Sequence, residues 1–137
     1  MADTVRRIQY FYVEAPDKPG EGAKLLTMLK EAGVDLLAFS GFPKGRRAQI
    51  DFVPVDPAAF RAAARKAKLK LAGPKTAFLA QGEDRPGVVA ELTAKLAEAK
   101  INVTALDAVA AGAGRYGAIL WVKPGDVTRA TRVLGAS

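Results

Sequence analysis

The chain has 137 residues, half of them hydrophobic, with neither cysteine nor histidine and a formal net charge of +7. The two absences exclude disulfides, thiol nucleophiles, imidazole bases and nearly every zinc or iron site, so any catalysis would fall to Asp, Glu, Lys, Tyr or Ser. The length suits one ordinary domain or two small ones of about 65 residues, which would be marginal unless packed together or dimerised.

The opening Met1-Ala2-Asp3-Thr4-Val5-Arg6-Arg7 has no apolar stretch behind it, so no signal peptide is read. No apolar run reaches the roughly 18 residues that a membrane helix needs. A cytoplasmic protein without membrane contact is expected. Strand one is expected over Arg7–Glu14, rich in aromatic and β-branched residues. Asp17-Lys18-Pro19-Gly20 reads as a turn into a helix that ends near Ala32, with Gly22, Leu25, Leu29 and Ala32 along one face. Strand two follows over Val34–Phe39, a glycine turn at Lys44-Gly45, and strand three over Ala48–Val55. Asp56-Pro57 opens a second helix, Asp as N-cap and Pro at its first position. A short fourth strand, about Lys68–Ala72, closes the series.

The same series then begins again. Displacing the chain by 67 residues aligns 4–70 with 71–137 without a gap and gives fifteen identities, nine of them between Asp17 and Ala38. The second copy reads as strand Thr76–Gln81, turn Asp84-Arg85-Pro86-Gly87 and a helix to about Ala99 with the stripe Val89, Leu92, Leu96, Ala99. Glu91 and Lys95 are placed for an i,i+4 ion pair. Strands over Ile101–Leu106 and Tyr116–Val122 flank the turn Gly112-Ala113-Gly114, and Lys123-Pro124-Gly125-Asp126 leads into the last helix. The chain stops at Ser137, opposite Lys70, which leaves the second fourth strand short or absent. The order βαββαβ, then βαββα, implies an α+β protein. Its two tandem ferredoxin-like modules, 1–72 and 73–137, would carry antiparallel sheets with helices on one face.

Each Pro-Gly turn offers backbone donors. The first N–H groups of a helix have no partner inside it, and the helix dipole favours an anion there. Gly87, Val88 and Val89 are expected to present such groups, and a carboxylate is a natural guest. An amino acid also needs an acceptor for its ammonium group. Asp35 and Asn102 hold equivalent places before strand two, 18 residues after Asp17 and Asp84 respectively.

On these residues the chain resembles the ACT domain family of small-molecule-binding regulatory modules. The second copy carries the resemblance in Asp84-Arg85-Pro86-Gly87, Val88, Val89, Leu92, Leu96 and Ile101-Asn102-Val103, the first in Asp17-Lys18-Pro19-Gly20, Leu25, Leu29 and Val34-Asp35-Leu36. The resemblance implies an amino-acid effector held between the helix-one loop of one module and strand two of a neighbour. That points to Asp84, Pro86, Gly87, Val88 and Asn102, with Val89 among the donors, and to Asp17, Pro19, Gly20 and Asp35. It implies no cofactor and no catalytic residues, and it makes any regulated enzyme a separate chain. Gly22, Asp35 and the truncated end depart from the family pattern.

Strand two is an edge in such a sheet. Leu36, Leu37, Phe39 and Phe42, with Val103 and Leu106 in the other copy, make those edges apolar, which favours pairing within the chain or in a homodimer. Nucleic-acid binding is the main alternative. The chain is basic, most densely at Arg61, Arg65, Lys66, Lys68, Lys70 and Lys75, and Arg115–Val122 has a faint likeness to an RNA-binding strand. Its aromatics Tyr116 and Trp121 are five apart, however, and so fall on opposite faces. Tyr10, Tyr12, Asp51 and Lys75 could serve a small enzyme, but no spacing joins them. A structural subunit without a ligand is the remaining alternative.

Overall fold

The computed structural model describes residues 3–137; Met1 and Ala2, where the search for a targeting signal begins, lie outside the described residues. The elements follow the order β1 (Thr4–Pro16), α1 (Glu21–Glu31), β2 (Leu36–Lys44), β3 (Arg47–Pro54), α2 (Pro57–Lys66), β4 (Ala72–Glu83), α3 (Val88–Glu98), β5 (Val103–Gly112), β6 (Arg115–Val122) and α4 (Val127–Leu134). The protein is α+β, built of two ferredoxin-like modules. By contact, Gln9–Lys75 form one compact unit, and Thr76–Ser137 with the residues up to Ile8 form the other.

In the first unit β3 pairs antiparallel with β1 and with β2, Phe52 opposing both Phe11 and Phe39. Residues pointing to the helices make the core. The Phe60 ring centroid lies 5.2 Å from that of Phe11 and 5.2 Å from that of Phe52, beside Val13, Ile50 and Leu29. Burying each such ring or leucine contributes about 1.5–3 kcal/mol. The start of β4 belongs to this unit and runs against β1 so closely that a Cβ on Gly73 would stand 2.9 Å from the Tyr10 carbonyl oxygen.

The second unit repeats the plan. β6 pairs antiparallel with β4 and β5, Leu120 opposing Phe78 and Leu106. Phe78, Val88, Leu92, Leu96, Tyr116, Leu120, Ala130 and Leu134 pack inside. No strand follows α4. Residues Thr4–Ile8 stand in its place: the Thr4 hydroxyl donates to the Gln81 carbonyl at 3.4 Å. Ser137 donates to Val5 O and accepts from Arg7 N, at 3.1 and 3.0 Å.

Several expectations shift. The strand expected over Lys68–Ala72 is absent but for Ala72, where a twelve-residue strand, β4, begins that takes in the one expected over Thr76–Gln81. Lys68 is spent on leaving α2: it takes φ 59°, and Leu69 N–H returns to Ala64 O. The same exit delays both second strands by two residues. Gly33 and Lys100 take positive φ, and the N–H groups of Val34 and Ile101 close on Leu29 O and Leu96 O. Glu91 does not reach for Lys95; it bonds Arg85 at 2.9 Å.

The gapless repeat also fails in strand three. Phe11 opposes Phe52 while Phe78 opposes Leu120, so the first strands are 67 apart and the third strands 68. A bulge in β5 between Ala110 and Gly112 absorbs the extra residue. One residue in a strand exchanges its faces, so the counterpart of Asp51 is Ile119 rather than Ala118.

Candidate functional site: the two Pro-Gly helix starts

Gly20 and Gly87 are the N-cap residues of α1 and α3, in left-handed conformation at φ 93° and 82°. Only a residue without Cβ accepts this geometry freely. The prolines therefore precede the cap instead of occupying the first helical turn. α2 makes the contrast plain: Asp56 Oδ1 accepts from Ala58 N and Ala59 N at 3.0 and 3.3 Å. Asp17 and Asp84 give no such cap, and neither α1 nor α3 has a side-chain cap bond. Asp84 is held by its own N–H, which donates to Gly114 O at 2.8 Å in the turn after β5.

The donors are fewer than expected. Val88 N–H turns back to Arg85 O at 3.3 Å, and the Val88 side chain is buried in the core. In the first copy Glu21 N–H turns back to Lys18 O. The N–H groups of Gly87, Val89 and Ala90 find no acceptor among the described residues. Each loop thus presents three free donors, uncapped and at the positive end of a helix. Asp17, Pro19, Gly20, Asp84, Pro86 and Gly87 are all exposed, and Val89 half-buried.

Asp35 and Asn102 lie elsewhere. Both are exposed and sit beyond the opposite ends of α1 and α3. Eleven residues of α3 at 1.5 Å each put Asn102 roughly 16 Å or more from the Gly87 donors. The two halves of the expected site do not meet within one module. Asp35 Oδ1 is already engaged by Leu36 N–H at 2.9 Å, whereas no protein partner of the Asn102 side chain is found among the described residues. β2 and β5, the strands that follow, are the outer strands of their modules and expose Phe39, Phe42 and Val109.

The folded first module does unite the four scattered polar residues. Tyr12 opposes Asp51 across β1 and β3. Lys75 Nζ stands 5.1 Å from the Tyr12 ring centroid, and the Tyr10 and Tyr12 rings are 6.5 Å apart. Gln49 Nε2 donates to Asp51 Oδ1 at 2.9 Å. Burial pushes the Asp51 carboxyl up from its usual range, against the hydrogen bond from Gln49 and the charges of Lys75 and Lys44. Burial, and then Asp51, raise the Tyr10 phenol. Sequence spacing hid this group because its members come from three strands. Tyr116, by contrast, is buried in the second module's core, so it offers no platform for a nucleic-acid base.

No protein-family profile matches the chain, and no curated protein matches its sequence. Solved structures do match. Protein BT0572 of Bacteroides thetaiotaomicron superposes with a TM-score of 0.80 at 12% identity, over 97% of this chain and 88% of that one. The ligand-free regulatory subunit of aspartate kinase from Thermus thermophilus gives 0.65 at 18% identity, over 98% and 96%. The chain shares the fold of that subunit. In aspartate kinase of Clostridium acetobutylicum, described as an allosteric enzyme, the likeness has a TM-score of 0.55 at 13% identity and spans 97% of this chain but 33% of the enzyme. At identities of 12% to 18% these likenesses show the fold alone. Among the described residues no helix is long and apolar enough to cross a membrane.

Proposed function

We propose that the chain is a tandem ACT-type regulatory protein of the cytoplasm that binds an amino acid between modules and acts on a separate enzyme. The uncapped helix starts carry this reading. The same fold caps α2 with its own aspartate yet leaves α1 and α3 open, each behind an acidic-x-Pro-Gly loop. A ligand carboxylate on the Gly87, Val89 and Ala90 N–H groups would satisfy donors that the chain leaves unpaired. The ammonium group would meet Asn102, or Asp35 in the first copy, from another module. The distance along α3 requires that other module, and the exposed outer strands β2 and β5 support a homodimer as its source.

A thermal-shift screen of the twenty amino acids tests the reading, since a ligand of the native state raises the melting temperature by mass action. A saturable rise for one or a few of them is expected. Gly87→Asn should abolish it: asparagine tolerates left-handed φ, and open space surrounds the position, so the fold survives while a side chain covers the donors. A screen with no shift at millimolar concentration would leave a structural subunit without a ligand.

A further inference from the structure

In the second module the Asp3 carboxylate fills a recess left by the missing Cβ of Gly82. Its floor is Gly82, where an added Cβ would collide with the Asp3 carboxylate and stand 3.2 Å from Tyr116 Cε1. Its wall is Tyr116, only 4% exposed, whose phenol is raised above its usual pKa by burial first and then by the Asp3 carboxylate beside it. Its rim is Arg85, which Glu91 holds at 2.9 Å and which reaches Asp3 Oδ1 at 3.6 Å. The Asp3 carboxylate thus sits between a phenol and a guanidinium and acts on both. The first module has Ala15, Ala48 and Lys18 at the corresponding places.

A guanidinium, a buried phenol hydroxyl and a missing Cβ make a receptor for a carboxylate. We propose that this recess is a carboxylate-binding site beside the α3 loop, and that Asp3 occupies it as a tethered stand-in which a free carboxylate ligand displaces. The proposal deepens the ligand reading above by adding Arg85 and Tyr116 to the site and naming its internal competitor. It also gives binding a consequence. Asp3 precedes Thr4–Ile8, the segment bonded to Gln81 and Ser137, so a ligand that expels Asp3 loosens the attachment of that segment.

Acetate is the aspartate side chain cut free, and it makes the test direct. In the full chain carrying Asp3→Ala, acetate should raise the melting temperature saturably, beyond sodium chloride of equal ionic strength. The effect should be lost on adding Arg85→Gln, and weakened by Tyr116→Phe, which keeps the ring in the core. The wild-type chain should need roughly tenfold more acetate or over, because Asp3 competes for the same place. No saturable effect in Asp3→Ala, or an equal effect in wild type, would overturn the proposal. An acetate failure beside an amino-acid shift that Gly87→Asn abolishes would strike this site alone, whereas an amino-acid screen without a shift strikes the reading above.

Discussion

Asp51 is the charged residue most at odds with its surroundings. It is 4% exposed, and a carboxylate so placed needs compensation. One amide donates to it, two lysines act at longer range, and burial still prevails in raising its pKa. The consequence for stability has a definite sign. A carboxyl with a folded-state pKa above its ordinary 3.8 binds more protons in the native state. The native state is therefore favoured at low pH and loses that advantage as the pH rises through the raised value. Asp51→Asn keeps the Gln49 bond through its amide oxygen and removes the charge. It should raise the melting temperature at pH 7 by a few degrees and flatten the decline above pH 3.8. Thermal melts of both chains across pH 4–8 check this, and equal slopes would show that Asp51 is not the group responsible.

At the scale of the element, capping separates two aspartates that look alike in sequence. Asp56 and Asp84 both stand just before a proline or within two residues of one, but only Asp56 accepts from its helix. Asp56→Ala should cost about 0.5–2 kcal/mol of stability, while Asp84→Ala should cost much less. Urea denaturation of the two variants measures the difference directly. The same comparison shows what the sequence disclosed. Helix ends, the capped start of α2 and the Leu25, Leu29, Leu92, Leu96 stripe were legible because they depend on local spacing. Strand ends were not. Lys68 and Lys100 adopt left-handed conformations without being glycine, and nothing in the sequence marks them. The bulge at Ala110–Gly112 is likewise invisible to a gapless comparison, because Gly45 and Gly112 match as letters while Gly112 opposes Arg115 at the end of its strand. The candidate site was half legible. The loops were found from their motif, whereas Arg85 with Asp3 and Tyr116 required the fold, since the last two are 113 positions apart.

For the whole molecule, the decisive segment is the shortest. Among the described residues no strand follows α4, and those up to Ile8 group with Thr76–Ser137 rather than with the copy they begin. Ile8 is 8% exposed, Thr4 bonds Gln81, and Ser137 exchanges two backbone bonds with Val5 and Arg7. A chain lacking residues 1–8 gives up all of these in the second module and none of the Phe11, Phe52 and Phe60 core in the first. A module of about 65 residues has little stability to spare. The truncated chain should therefore lose amide protection first across β4, β6 and α4, with Ile50, Phe52 and Phe60 still protected. Hydrogen exchange read residue by residue distinguishes this from uniform loss, which would mean that the segment serves both modules alike. Removing Ser137 and Ala136 should produce a weaker form of the same pattern, because it breaks the two bonds to Val5 and Arg7 while leaving Thr4 and Ile8 in place.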